Sequence, residues 1–319
     1  MIYGKFAPFI HTDRTVSYME LSFLIALLPC VCYAIFKYGI RALMLILSCV
    51  LMNVLCAMLF SKSKKIRIKR TYLHNVISGV LFSLMLPPDT SLLIPITASV
   101  FMTFVTEVLF GGIAFCQVNS PVLARILVEV VWGERLKGFS EGSNHWFAIK
   151  SLFSFARTTS SVASRVEDYH TAELITDGYP SYIGMCSVIM ILIGTIYLLR
   201  SRTVRTAAPI CYLVTVIIIR VSMHIKDGVR SNIAFLLISG IFFVAFFLLT
   251  DRATVPQNHL GGTVTGIICG ILTAGAFEIS GGITALCVPV VMVNIISGLV
   301  EYFTSDASER HAAVREEAQ

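Results

Sequence analysis

Apolar runs that are long enough to cross a lipid bilayer follow one another along almost the whole chain. A bilayer core is about 30 Å thick, so a helix crosses it with about 17 to 25 apolar residues. Ten segments meet or approach this length, and the third and the fifth are short. They span residues 18–36, 40–60, 73–86, 92–110, 121–132, 183–199, 207–223, 233–249, 262–277 and 283–302. The sequence therefore predicts an all-α, polytopic integral membrane protein.

Composition and charge support a membrane protein and argue against a nucleic-acid partner. The 319 residues are 56% hydrophobic and only 14% charged, and the mean hydropathy is +0.80, values outside ordinary usage for a soluble domain. The net charge of +6 comes from Lys and Arg in short clusters between apolar runs, which does not indicate a nucleic-acid surface. The nine cysteines form no C-x-x-C pair, so we expect small buried hydrophobes and no metal site.

Basic residues in the short loops predict the orientation of the chain. Residues 61–70 carry six Lys or Arg, and Arg200, Arg202 and Arg205 add three more. With ten crossings, about 14 basic residues lie on the side of the N-terminus, against four in the short loops opposite, which marks that side as cytoplasmic. We therefore expect both termini in the cytoplasm of a prokaryote, the protein in its inner membrane, and residues 133–182 outside.

The fifth segment is broken in a way that indicates a site. In residues 110–129 an apolar run stops at Gly111-Gly112, crosses about ten mixed residues and restarts at Pro121. Unpaired peptide groups cost several kcal/mol each in hydrocarbon, so such a break should line a cavity. Pro121 suits the first turn of a helix, and Arg125 and Glu129, one turn apart, should neutralise each other. The alternative is a loop that leads into an interfacial helix.

A weak internal repeat divides the ten segments into two halves of five. A Ser-Gly pair, an acidic turn and a Gly-Gly pair occur in that order in each half. The first half has Ser78-Gly79, residues 86–89 and Gly111-Gly112, and the second has Ser239-Gly240, residues 249–251 and Gly281-Gly282. Halves with an odd number of crossings must be inverted, which places a site near the membrane midplane between them. Chance likeness between two Leu-rich stretches is the alternative.

This repeat predicts a domain plan. The plan has a cytoplasmic N-terminal segment 1–17, a first repeat 18–132, an extracytoplasmic loop 133–182, a second repeat 183–304 and a cytoplasmic tail 305–319. The composition of the tail predicts a solvated helix or disorder.

Several short motifs, in order and over almost the whole chain, carry a resemblance to a known family. They are Ala7 to Thr12 with Arg14-Thr15, Leu86-Pro87-Pro88, Leu109 to Gly112, residues 119–125, Phe246-Phe247 with Thr250-Asp251 and Pro256, and Gly281-Gly282 leading to Asn294. Together they resemble the RnfD/NqrB family. RnfD is the D subunit of the Rnf ion-translocating oxidoreductase complex, and it is homologous to NqrB of the sodium-pumping NADH:quinone oxidoreductase.

The resemblance implies a flavin-carrying subunit of a translocase that is not catalytic alone. Such a subunit relays electrons between ferredoxin and NAD beside other subunits of the complex and couples this to transport of Na⁺ or H⁺, between which the sequence does not choose. It implies FMN attached through a phosphoester to a Thr in an outward-facing S-G-A-T motif, and a second, noncovalent flavin such as riboflavin. A secondary transporter or channel, and a scaffold without flavin, are the alternatives.

The attachment motif is degenerate in this chain. The nearest stretch is Ser161-Val162-Ala163-Ser164, in which the Ser164 hydroxyl replaces that of Thr on an exposed loop. Val162 stands where the family has Gly, and Arg165 where it has Pro. Covalent FMN on Ser164, beside Ser161, is therefore a hypothesis, and an unmodified polar loop is the alternative.

Other polar residues in or beside the apolar runs are candidates for a noncovalent flavin or an ion path. Asn119 and Arg125 in the broken segment, and Asp251 after the eighth run, are candidate flavin contacts. Arg220 either reaches outward or holds a flavin phosphate, and Glu107 either joins an ion path or pairs with a basic group. Asp89 and Asp251 should sit at opposite faces as helix caps or ligands. His11 and Arg14 order the N-terminus or contact a partner.

Overall fold

Helices account for nearly all of the chain whose structure is described. The structure is a computed structural model, and it describes residues 16–64, 71–112, 116–133, 136, 181–201, 203–225, 228–251, 254–256, 258–279 and 282–317. Its elements are α1 (Val16–Tyr38), α2 (Ile40–Lys64), α3 (Thr71–Leu84), α4 (Leu93–Thr103), the π-helix π1 (Phe104–Leu109), α5 (Ser120–Trp132), α6 (Val188–Ser201), α7 (Ala207–Met223), α8 (Gly228–Ile238), α9 (Ile241–Phe243), the π-helix π2 (Val244–Leu248), α10 (His259–Ile279) and α11 (Thr284–Glu317). The prediction of an all-α polytopic membrane protein is confirmed.

Length and hydropathy divide these helices into two groups. Within the described residues, α1, α2, α10 and the first part of α11 are long and apolar enough to cross a membrane. Together, α8 and α9–π2 are also long and apolar enough to cross as one broken span, which is bent by 51°. Four further apolar helices are shorter, and they correspond to α3, α4 with π1, α6 and α7. With α5, these segments match the ten that the apolar runs predict.

The two predicted halves use the same helix pairings. In the first half α4 packs against α2 and α5, and in the second half α10 packs against α7 and α11. Between the halves, α1 packs against α6 and α5 packs against α11. Each of these last two pairs joins corresponding helices, as a two-fold axis between inverted halves requires. The domain boundaries themselves stay a prediction.

Close backbone contacts and internal hydrogen bonds hold neighbouring helices together. A Cβ added at Gly194 of α6 would collide with the Ala26 carbonyl oxygen of α1, so the two backbones are in direct contact, as is common where small residues face each other in membrane proteins. In the first half, Asn53 Nδ2 donates to the Asn75 carbonyl oxygen at 2.7 Å, and Thr103 Oγ1 donates to Asn53 Oδ1 at 2.6 Å. One asparagine therefore joins α2 to α3 and α4.

Polar contacts define two ends of the bundle. We call the end at which α1 begins the proximal end and the opposite one the distal end. At the distal end, Tyr38 donates through its hydroxyl to the Ser181 carbonyl oxygen at 3.1 Å, and Arg41 lies 3.0 Å from the Asp89 carboxylate. At the proximal end, Asn258 Nδ2 donates to Thr304 Oγ1 at 2.7 Å. If the ten segments cross the membrane in alternating directions, the two residues of each contact lie on the same side of it.

The start of the sixth segment corrects one predicted boundary. The sequence predicts a helix from residue 183, but the helix begins at Val188, and residues 181–187 form a buried, non-helical segment. Three carbonyl groups at the end of α3 explain this. The Leu84 and Leu86 oxygens accept from the Gly184 and Ile183 amides at 2.8 and 3.0 Å, and the Met85 oxygen accepts from Arg125 Nε at 3.1 Å. Segment 181–187 therefore supplies donors that a buried helix end needs.

The eighth segment contains a break that the apolar run does not reveal. The sequence predicts one continuous segment over residues 233–249, but the chain bends at Gly240, whose φ of +79° lies in the left-handed region. A Cβ at this position would also collide with Met185 Sδ of the buried segment 181–187. Glycine is favoured here because it adopts this backbone conformation without strain and leaves room for Met185.

Candidate functional site

A cavity of about 350 Å³ lies at the proximal end of the bundle. It sits where α1, α3 and α5 begin and where π2 ends. The lining residues are Val16, Met19, Glu20, Phe23, His74, Ile77, Ser78, Leu81, Cys116, Val118, Asn119, Ser120, Pro121, Thr203, Val204, Phe247, Thr250, Asp251 and Thr254. A volume of about 300 to 1,000 Å³ is typical of sites for small molecules and cofactors.

The broken fifth segment forms one wall of this cavity, as the sequence predicts. The π-helix π1 ends with the Gly112 amide donating to the Thr106 carbonyl oxygen at 2.9 Å. Gly111 and Gly112 have φ values of +78° and +127°, which glycine tolerates and which turn the chain away from the helix axis. The chain then restarts as α5, with Pro121 in its first turn.

The N-terminus of α5 borders the cavity, and the side-chain oxygen of Asn119 there lacks a hydrogen-bond donor among the described residues. The Asn119 carbonyl oxygen accepts from the amides of Val122 and Leu123, each at 3.1 Å, but its side chain makes no capping hydrogen bond. Asn119 is 3% exposed, and its Oδ1 atom has no hydrogen-bond partner in the part of the chain that the structure describes. A buried amide oxygen without a donor costs roughly 1 to 3 kcal/mol, which a ligand that donates to Asn119 Oδ1 would recover.

Two further polar side chains face the cavity from other elements. His74 lies on the first turn of α3, and Asp251 follows π2. The Asp251 carboxylate is close enough to His74 to interact with it electrostatically. With the Asn119 amide, these groups give the cavity both hydrogen-bond donors and acceptors.

Aromatic and aliphatic side chains form the rest of the wall. Phe23 of α1 and Phe247 of π2 pack edge to face with ring centroids 5.9 Å apart, and Ile77 and Leu81 of α3 lie beside them in the lining. Flat, largely apolar walls with a few polar groups are typical of sites for aromatic ligands.

Cys116 lines the cavity without being a reactive thiol. Its Sγ donates to the Val118 carbonyl oxygen at 3.1 Å. Burial raises the pKa of the Cys116 thiol, and the Val118 contact opposes that shift only in part. The thiol therefore stays protonated at neutral pH and is neither a nucleophile nor a thiolate ligand.

Arg125, a predicted flavin contact, lies elsewhere. Its side chain is 1% exposed, and its Nη1 atom lies 2.7 Å from Glu129 Oε2, so the predicted neutralising pair is confirmed. Its guanidinium also stands 5.8 Å from the centre of the Tyr182 ring. Burial raises the pKa of Tyr182, an effect that the Arg125 charge opposes. Of the predicted site residues, Asn119 and Asp251 meet in the cavity, whereas Arg125 joins α5 to the end of α3.

The other polar residues that the sequence singles out have partners away from the cavity or fall outside the description. Asp89 pairs with Arg41 at the distal end, whereas Asp251 lies at the proximal end. Arg220 lies 4.1 Å from the centre of the Phe235 ring and 3.7 Å from Glu278. Glu107 is buried in π1. The candidate attachment residues Ser161 and Ser164, and also His11 and Arg14, lie outside the described residues.

Sequence reasoning missed His74, Glu20 and the two phenylalanines of the cavity. His74 and Glu20 are ionisable residues within predicted apolar runs, a signal that marks functional positions in membrane proteins. Phe23 and Phe247 carry no such signal, because phenylalanine is equally at home against lipid or in a core.

Comparison with known proteins assigns this chain to a family. Residues 4–309 match the model of one protein family. The chain belongs to the NQR2, RnfD, RnfE family. The resemblance in the short motifs is thereby confirmed.

Three relatives of this family align along almost their whole length. The D subunit of the Na(+)-translocating ferredoxin:NAD(+) oxidoreductase complex of Acetobacterium woodii is 25% identical, over 98% of this chain and 96% of the relative. The D subunit of the proton-translocating ferredoxin:NAD(+) oxidoreductase complex of Clostridium ljungdahlii is 23% identical, over 93% of each. The D subunit of the ion-translocating oxidoreductase complex of Escherichia coli O1:K1 is 22% identical, over 93% of this chain and 95% of the relative. These names favour a redox complex over the secondary-transporter alternative.

Proposed function

We propose that this chain is the membrane-embedded D subunit of an Rnf-type ferredoxin:NAD⁺ oxidoreductase complex and that the proximal cavity holds a noncovalent flavin. Family membership along nearly the whole chain supports the first part. The observation that carries the second part is the buried Asn119 oxygen, which no described residue supplies with a hydrogen-bond donor, in a cavity large enough for a small cofactor. The flavin when bound supplies a ring that accepts and releases electrons.

The residues of the cavity fit such a ring. An isoalloxazine has one edge with carbonyl acceptors and an imide N–H donor, and its faces are apolar. Asn119 Oδ1 and the Asp251 carboxylate accept hydrogen bonds, and the Asn119 amide and His74 donate them. Phe23 and Phe247 exclude water from the remaining wall, and the α5 N-terminus favours negative charge on the ligand.

Partner subunits are required by the dimensions of the membrane. One ring at one end of a hydrocarbon core about 30 Å thick does not carry electrons across it. The chain therefore works as a relay inside a complex whose other subunits carry their own redox centres, and electron flow there is coupled to movement of Na⁺ or H⁺. Both ions are kept in the proposal, since one relative is named as sodium-translocating and another as proton-translocating.

The location follows from the same proposal. The protein spans the inner membrane of a prokaryote, with the proximal end and both termini in the cytoplasm and residues 133–182 outside. The excess of Lys and Arg in the short proximal loops supports this orientation.

The second part of the flavin proposal is covalent attachment of FMN to Ser164, in the same short motif as Ser161. Denaturing electrophoresis of the chain produced with the attaching transferase tests it. We expect a fluorescent band and a mass increase of one FMN, lost in Ser164→Ala and kept in Ser160→Ala. A non-fluorescent band of unmodified mass removes the covalent flavin.

The noncovalent flavin is tested on the full-length chain produced without that transferase, reconstituted in nanodiscs and titrated with riboflavin. We expect saturable quenching of riboflavin fluorescence at one site per chain, weakened in Asn119→Ala and in Phe247→Ala. Leu299→Ala, which changes a side chain on the outer surface of α11, is the matched control and should leave binding unchanged. Failure to bind riboflavin contradicts the proposal and favours a scaffold without flavin.

A further inference from the structure

An asparagine in the middle of the last membrane-crossing helix contacts the break in the fifth segment. The part of α11 that is long and apolar enough to cross a membrane is Thr284–Thr304, and Asn294 lies at the centre of this stretch. Its side chain is fully buried. A side-chain amide at this depth is costly unless the protein itself pairs its polar atoms, so the partners of Asn294 indicate its role.

Both ends of the Asn294 amide have partners when its oxygen faces α5. In this orientation Nδ2 donates to the Val290 carbonyl oxygen of the same helix, and Oδ1 accepts from the Asn119 backbone N–H, each at 3.2 Å. The opposite orientation would set acceptor against acceptor and donor against donor, so the hydrogen bonds assign the first one. Asn294 thus joins the second half of the chain to the residue that precedes α5.

This hydrogen bond indicates how deep the proximal cavity is. It holds Asn119, which lines the cavity, level with the centre of the membrane-crossing part of α11. Val16 and Thr203 also line the cavity, and they lie at the proximal end, where α1 begins and just after α6 ends. The cavity therefore extends from the proximal end toward the middle of the bundle, with Asn119 at its inner end. A site at this depth is expected between inverted halves.

Holding the backbone of Asn119 also fixes the direction of its side chain. Asn119 has an extended backbone, with φ of −66° and ψ of 103°, and its carbonyl oxygen accepts from the amides of Val122 and Leu123. With the N–H held by Asn294, both polar groups of the Asn119 backbone are engaged. The side-chain amide is therefore presented to the cavity from a fixed position, which reduces the entropy lost when a ligand binds.

We propose that Asn294 is a positioning residue of the proximal cavity, which acts through Asn119 to select a ligand with an imide N–H donor. This inference rests on the proposed function. Asn294 is not among the described residues of the lining, so it does not act by contact with the ligand. Asn119 Oδ1 accepts from the imide N–H of the flavin ring, and a methyl group on the imide nitrogen removes that donor. Asn294 should therefore control the preference between these two rings.

The test measures this preference on the full-length chain in nanodiscs, produced without the flavin-attaching transferase. Fluorescence titrations compare riboflavin with 3-methylriboflavin. We expect the parent to bind riboflavin about tenfold more tightly, because the methylated ring leaves the buried Asn119 oxygen without its donor. Asn294→Ser should bind the two rings almost equally, because a serine hydroxyl bonds back to the Val290 carbonyl of its own helix and does not reach α5.

Three further variants make the result specific. Asn53→Ser is the matched control, since Asn53 is equally buried but joins α2 to α3 and α4; it should lower stability and keep the preference. Asn119→Ala removes the acceptor, and adding Asn294→Ser to it should lower riboflavin affinity no further, because residues that act through one contact are not additive. Asn294→Asp retains an oxygen toward the Asn119 N–H and should keep the preference.

The outcomes separate this inference from the proposed function. A parent that binds neither ring overturns the proposed flavin site. Riboflavin binding with the same preference in the parent and Asn294→Ser, or a further loss of affinity in the double variant, overturns the positioning role and leaves the flavin site standing. Loss of the preference in Asn294→Asp also overturns it, even where Asn294→Ser does not fold. A preference lost in Asn294→Ser and kept in Asn53→Ser and Asn294→Asp supports the positioning role.

Discussion

The described residues place charge pairs toward the distal end of the bundle and a cavity at the proximal end. Toward the distal end, charges are matched: Arg125 pairs with Glu129, and Arg41 pairs with Asp89. At the proximal end, Asn119 leaves a buried oxygen in the cavity wall without a donor among the described residues. A charge pair between buried side chains stabilises the folded chain, whereas a buried polar atom in the wall of a cavity is available to a ligand. Substitutions at the two ends should therefore have different effects.

The largest loss of stability should follow Arg125→Met. This change leaves the Met85 carbonyl without its donor and Glu129 without its partner in a site where Arg125 is almost completely buried. We expect the free energy of unfolding to fall by about 3 kcal/mol, measured by thermal unfolding in detergent. Arg125→Met combined with Glu129→Gln should recover part of the loss. A single variant as stable as the parent would show that the distal pairing has no structural role.

Asn119→Ala should separate binding from stability. The Asn119 side chain makes no capping hydrogen bond, and its Oδ1 atom has no partner within the described part of the chain, so we expect the free energy of unfolding to stay within about 0.5 kcal/mol of the parent. Riboflavin affinity should fall about tenfold, the equivalent of about 1.4 kcal/mol. Equilibrium titration and thermal unfolding of the same preparation check both. A large loss of stability with unchanged riboflavin affinity would instead assign Asn119 a structural role and no role in binding.

Arg41→Gln should have a smaller effect on stability than Arg125→Met. The Arg41 and Asp89 side chains are 19% and 14% exposed, so solvent screens their pairing more than that of Arg125. We expect a loss of about 1 kcal/mol that diminishes as salt is raised. Unfolding at low and high ionic strength measures this, and riboflavin binding should not change.

Glu278→Gln should give the smallest effect. Glu278 is 41% exposed, and Arg220 keeps its contact with the Phe235 ring when the carboxylate is lost. We expect a change of at most about 0.5 kcal/mol. A loss comparable to that of Arg125→Met would mean that exposure is a poor guide to the strength of distal ion pairs.

Much of the fold is readable from the sequence because the bilayer imposes it. Continuous apolar runs predict the helical segments, and Gly111-Gly112 followed by Pro121 predicts the break that borders the cavity. Arg125 and Glu129 are predictable as a pair because helical spacing alone brings them together.

The parts that the sequence does not reveal depend on contacts between distant segments. Ser78-Gly79 and Ser239-Gly240 are the same dipeptide at matching places in the two halves, yet Gly79 lies within a continuous helix against Val50, whereas Gly240 bends the chain around Met185. The dipeptide is the same at the two sites, so packing against distant segments decides whether the helix continues or bends. The same holds for residues 183–187, whose apolar character predicts helix, although the amides of Ile183 and Gly184 donate to carbonyl groups at the end of α3.

Those amides have a consequence for the order of biosynthesis. The carbonyl groups of Leu84 and Leu86 receive their donors from Gly184 and Ile183, which leave the ribosome about a hundred residues later. The first five helices therefore enter the membrane as an unfinished unit, and their assembly is completed only when the start of the second set arrives. A chain cut within residues 133–180 should yield a first fragment that needs the second one in order to become stable.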